Sequence, residues 1–206
     1  AKGEEEADAP LRLQAAQLLH QQVFLAYLTI AISLVGQLAF GTFQVAILTD
    51  ITHIDPFVAV PIYLLIGGAG SVVGIWVGGK LADWSAAAAI VMVLIGQIVC
   101  FSIMLLAVHN AIAMAIMLFF SAAFGFGFST PIQVRVLSGA KQAPRLAATL
   151  IATAYNIGIA GGAAVGAWLI SIGFSYALLP ATGIICSALA LAAATTSIQL
   201  SRRGVA

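Results

Sequence analysis

The sequence predicts an all-α polytopic membrane protein of six transmembrane helices, arranged as two inverted three-helix repeats. Three observations predict it. The 206 residues are 62% hydrophobic and only 7% charged, where soluble domains carry about 25% charged residues. The apolar residues gather into six stretches long enough to cross a bilayer, and a glycine pattern in the second stretch recurs in the fifth.

A helix needs about 20 apolar residues to cross ~30 Å of hydrocarbon, and spans of that length run over 23–48, 58–79, 86–108, 111–131, 146–170 and 176–200. Backbone amides in hydrocarbon must find partners within their own segment, so all six are helices and no strand is expected. The first span places Ser33, Gln37, Phe40 and Gln44 at i, i+4, i+7 and i+11, hence on one face. Amides on that face are costly in lipid unless paired or wetted. The second span carries Gly70, Gly74 and Gly78 four residues apart, a flat stripe against which another backbone can pack. The third is joined to the fourth by only His109 and Asn110, which makes the two antiparallel neighbours.

In the fourth span Gly125 and Gly127 precede Ser129, Thr130, Pro131 and Gln133. A kink is expected around Pro131, because proline removes a ladder hydrogen bond. The fifth span repeats the glycine stripe as Gly158, Gly162 and Gly166 and sets Thr149, Thr153 and Asn156 on a face roughly 150° away. Cys100 in the third span and Cys186 in the sixth behave as small apolar groups and give no disulfide framework.

All eight Lys and Arg residues fall in the termini and in the second and fourth connections, none in the first, third or fifth. Because basic segments near helix ends stay cytoplasmic, both termini are expected inside. Residues 1–22 then form a cytoplasmic tail, 23–200 the transmembrane domain and 201–206 a second cytoplasmic tail. The acidic start (Glu4, Glu5, Glu6, Asp8) reads as a solvated tail and not as a signal peptide. The chain opens on Ala, which suits a piece of a longer polypeptide.

Gly70 and Gly158 are 88 residues apart, and the same offset carries the start of the first span, Val23, onto Ala111, the start of the fourth. Two units of three crossings each must run in opposite senses, the inverted-repeat arrangement of secondary transporters. Three polar stripes, on the first, fourth and fifth spans, together point to a water-accessible lumen. His20, His53 and His109 show no ligand spacing with one another, with Cys or with acids, so no metal and no cofactor is expected. The constellation for an intramembrane enzyme, a nucleophile with its base or a pair of deep acids, is also missing. No basic cluster is dense enough for nucleic acid.

The run Gly78-Gly79-Lys80-Leu81-Ala82-Asp83 resembles the cytoplasmic signature loop of the major facilitator superfamily, in the copy found in the second half of its members. The stretch from Phe126 to Gly166, with Ser129-Thr130-Pro131, Gln133, Arg135-Val136-Leu137 and Asn156-Ile157-Gly158, resembles the tenth and eleventh helices of bacterial drug and sugar efflux members, related to arabinose and purine-nucleoside exporters. The resemblance covers nearly the whole chain. It implies the C-terminal half of that fold and a secondary active, proton-coupled efflux carrier in the bacterial inner membrane. Substrate would be bound against an N-terminal six-helix half or a second copy. It assigns Gly79, Lys80 and Asp83 to the gating or signature loop, with the inner-gate role on Asp83, although Trp84 stands where the signature has a basic residue. The substrate wall would be Gln37, Phe40, Gln44, Ser129, Gln133, Tyr155 and Asn156.

A proton-coupled carrier usually needs an ionisable group within the membrane. All seven acids here lie in connections or at the start, so the relay is expected outside this chain. The alternative is a scaffold that only packs against other helices, since glycine stripes serve assembly as well as transport.

Overall fold

The computed structural model describes residues 21–140 and 144–203. The acidic start, Lys2, Arg12, His20 and Lys141 therefore lie outside the described residues. In chain order the helices are α1 (Gln21–Gly41), α2 (Gln44–Ala46), a π-turn (Ile47–Ile51), α3 (Ala59–Ala107), α4 (Ala111–Gly127), α5 (Ser129–Gly139), α6 (Pro144–Ser171), a 3-10 turn (Tyr176–Leu178) and α7 (Leu179–Arg203). No strand occurs among the described residues.

At 1.5 Å per residue the 49 residues of α3 would extend about 74 Å, more than twice the hydrocarbon thickness. The helix is broken at Ser85, which is extended at φ −164° and ψ 107°. The Ser85 hydroxyl then accepts from the amide of Ala88 at 3.3 Å, capping the arm that follows. Arms 59–84 and 86–107 are thus two separate crossings. With α1, α4 together with α5, α6 and α7, they make six.

The first span is less regular than its sequence suggests. It breaks after Gly41, where the Phe43 amide reaches only back to Phe40 (3.1 Å). It resumes at Gln44 and ends in the π-turn, closed by Thr52 N–H donating to Ile47 (3.0 Å). The Thr52 hydroxyl donates to the carbonyl of Val108 (2.8 Å), tying this end to the end of the third span. His53 follows in a left-handed turn, φ 59°. In the fourth span the helix is interrupted at Phe128, within one turn of Pro131 as expected, although Phe128 itself keeps helical dihedrals of φ −68° and ψ −29°. Pro131, buried there, has no N–H to give the carbonyl of Gly127 four residues back, which opens the ladder between the bonds Phe128 N–H to Phe124 and Ile132 N–H to Phe128. Gly125 and Gly127 leave the backbone before the break unconstrained by a side chain.

The core has two apolar layers. One gathers Val23, Ile30, Leu94, Ile132, Val136 and Ile151. The other gathers Phe40, Leu48, Phe101, Met104, Met114 and Leu179 at the opposite end. Apolar contact alone gives little association in lipid, where tails are as apolar as leucine, so close backbone approach has to supply it. The glycine stripes do this within the chain. A Cβ at Gly70, Gly74 or Gly78 would run into the carbonyls of Phe119, Ala123 and Gly127. One at Gly158, Gly162 or Gly166 would lie 2.9, 2.8 and 2.9 Å from the carbonyls of Ala31, Val35 and Ala39. Those carbonyl positions, 31, 35 and 39, become 119, 123 and 127 on adding the offset of 88. The second span therefore packs on the fourth as the fifth packs on the first, and the internal repeat is one of contacts as well as of residues.

Candidate functional site

The two glycine-packed pairs leave a cavity of about 560 Å³ between the first, second, fourth and fifth spans. Leu34, Phe40, Leu64, Phe101, Phe126 and Ile159 give it an apolar lining. The polar groups are the amides of Gln37 and Gln44, the hydroxyls of Ser71, Ser121 and Ser129, and Tyr155. No charged side chain lines it.

Each polar group is placed by its helix. Gln37 and Gln44 lie on the α1–α2 face that looks away from the fifth-span glycines. Neither amide makes a hydrogen bond among the described residues, so both retain donors and acceptors within an apolar chamber. Gln37 lies directly over Gly125, where a Cβ would occupy the space of the amide. Position 125 is also position 37 plus the 88-residue offset, so equivalent points of the two repeats meet here. The Ser121 and Ser129 hydroxyls donate to their own helix, at Leu118 (3.2 Å) and Phe126 (2.7 Å), leaving only lone pairs to offer. The Tyr155 hydroxyl is enclosed and makes no hydrogen bond, although the Gln133 amide lies close by.

The cavity brings together Gln37, Phe40, Gln44, Ser129 and Tyr155, and leaves out Gln133 and Asn156. Both of these are exposed, as are Thr149 and Thr153. Those two threonines turn their hydroxyls to the carbonyls of Arg145 and Thr149, at 3.1 Å each. The polar stripe of the fifth span thus faces outward from the bundle. Ser33, first in the stripe of the first span, points elsewhere too: it donates at 3.3 Å to Gln97.

Gln97 has no counterpart in the sequence expectations. Fully buried, it accepts from both Ser33 and Ser187 (3.4 Å) on the first and sixth spans, while its Nε2 has no partner among the described residues. It is the only side-chain amide of the third span, and that solitary polar group in an apolar run was the available signal. Ser71, Ser121 and Gly125 also line the cavity without having been singled out for it.

The signature run is helical throughout, within arm 59–84. Gly79 faces open space. The exposed Lys80 ammonium lies 3.7 Å from the centroid of the Trp76 ring one turn back. Asp83 is exposed and forms no ion pair among the described residues. No group of three or more His, Cys, Asp or Glu side chains is placed to hold a metal among those residues.

Fold and site together define an α-helical multi-pass membrane protein with an uncharged chamber between four of its spans. The chain is 33% identical over 191 residues to the inner membrane transport protein YdhP of Escherichia coli K12, covering 92% of this chain and 49% of that protein. It is 29% identical over 159 residues to a chloramphenicol resistance protein of Streptomyces lividans, covering 77% of this chain and 40% of that protein. The chain thus spans about half the length, or less, of these curated relatives. No protein-family model matches it.

Proposed function

We propose that the chain is one six-helix half, the C-terminal one, of a major facilitator carrier of the inner membrane that exports an uncharged or amphipathic small molecule. The observation that carries this reading is the chamber of about 560 Å³ with two unpaired amides and no charge. Gln37 and Gln44, both half-buried, turn amides without a partner among the described residues to this chamber, where a cargo or water can meet them and where a scaffold has no use for them. The names of the two relatives, a transport protein and a resistance protein, agree with export. In this reading Gln37, Phe40, Gln44, Ser129 and Tyr155 form the substrate wall. Gln133 and Asn156, exposed here, contribute only at a face shared with the other half. Coupling to protons is part of the proposal, with the titrating group supplied from outside this chain, because no acid lies within its spans.

The scaffold alternative loses its main support, because both glycine stripes are already occupied by the chain's own carbonyls. The test is export of chloramphenicol from cells carrying the transporter assembled with its other half. Gln37→Leu combined with Gln44→Leu should raise intracellular drug at unchanged protein level, whereas Thr149→Val should not. Equal accumulation in both variants would remove the cavity from the mechanism.

A further inference from the structure

A second hollow, of about 210 Å³, lies at the end of the bundle that carries Lys80 and Arg145. It is walled by Val23 and Ala26 of α1, Arg135, Ser138 and Gly139 of α5, and Ser201 of α7. Arg135 is half-buried there. One guanidinium nitrogen donates to the Ser197 hydroxyl at 3.3 Å. The group has five N–H donors, and no acid among the described residues answers them. Asp83, the only described acid at this end, is exposed, and no ion pair involves Arg135 among the described residues. A cation withdrawn from water without a counter-charge is costly, and a planar guanidinium fork fits phosphate oxygens two at a time. Ser201 adds a second donor on the hollow, its hydroxyl having no hydrogen bond among the described residues. Ser138 adds none, because its hydrogen goes to the carbonyl of Arg135 (2.9 Å).

We infer that this hollow is a binding site for a phosphate group, held by Arg135 and Ser201, and distinct from the cavity between the four spans. Phosphate of this kind comes from the headgroup of an anionic lipid or from a free anion. The apolar flank of Val23 and Ala26 matches the lipid, whose acyl chains it can meet beneath the headgroup.

Purified protein in detergent should bind dioleoyl phosphatidylglycerol at one high-affinity site by native mass spectrometry, with a raised thermal midpoint. Dioleoylglycerol, which lacks the phosphate, should do neither. Arg135→Gln should weaken the binding roughly tenfold, while Lys80→Gln leaves it unchanged. Arg135→Lys and Ser201→Ala, milder changes that keep the test open if Arg135→Gln does not fold, should each weaken it several-fold. Binding of inorganic phosphate with the same dependence on Arg135 would support the site and assign it to a free anion. The inference is overturned if the variants at 135 and 201 bind as the unaltered protein does, if dioleoylglycerol binds as well, or if neither phosphate probe binds.

Discussion

Gln37 shows how much one residue's setting depends on another's lack of a side chain. Its amide occupies the space over Gly125 that any Cβ would fill, so Gly125→Ala must drive the amide aside or shift α4. Overpacking of this kind costs ~1–3 kcal/mol, to be measured as a lowered thermal midpoint in detergent. Residues in contact couple, so combining it with Gln37→Ala should recover most of the loss. Additive losses would mean that the two do not share that space. Gln37 was legible in sequence, because an amide at helical spacing in an apolar span stands out. Gly125 was legible only as a contributor to a bend, since its partner lies 88 residues away in the chain. Asn156 and Gln133 lie outside this cavity for a related reason. Periodicity tells which residues share a face, not what that face meets, and these two meet the outside of the bundle.

At the scale of elements, the glycine stripes carry the packing, and the two sets are not equally tight. At Gly162 an added Cβ would meet the Leu38 Cβ at 2.7 Å, the Val35 carbonyl at 2.8 Å and the Ala39 nitrogen at 3.1 Å. At Gly74 the three nearest atoms are all backbone atoms of Ala123, and the approach is closer still. None of these atoms can turn away at either position, so the closer approach at Gly74 should make Gly74→Ala destabilise more than Gly162→Ala. The comparison is made as the fraction of monodisperse protein after detergent extraction and heating. A larger loss at Gly162 would show that the second and fourth spans separate more easily than the first and fifth. The helices themselves were readable from hydrophobic length. Two of their interruptions were as well, the one beside Pro131 and the one before Ala86, whereas the turn at Thr42 and Phe43 contains no proline to announce it. The extended backbone at Ser85 falls in the connection expected between the second span, 58–79, and the third, 86–108.

For the molecule as a whole, the charge distribution makes a statement about threading that can be checked chemically. In a background with Cys100 and Cys186 replaced by alanine, Lys80→Cys and Ser138→Cys should react with a membrane-impermeant maleimide only from the cytoplasmic side. His53→Cys and His109→Cys should react only from the opposite side. The structure already groups them so. Thr52 is bonded to Val108 at one end of the bundle, while Lys80 and Ser138 follow the glycine-packed arms to the other. Labelling of Lys80→Cys and His109→Cys from the same side would break the six-crossing arrangement. The class of fold and its internal repeat were legible because both follow from composition and spacing. The cavity was legible only in part, since its shape arises where two pairs of helices close on one another.

The helix pairs meet largely through glycine Cα atoms and backbone carbonyls, and such a contact has few rotamers to rearrange. It cannot be retuned by small exchanges of side chain. During genetic drift those six glycine positions should therefore stay fixed or fail outright, while the walls of the chamber, built from ordinary side chains, remain free to diversify. A lineage of such proteins could acquire new cargoes quickly on an unaltered frame.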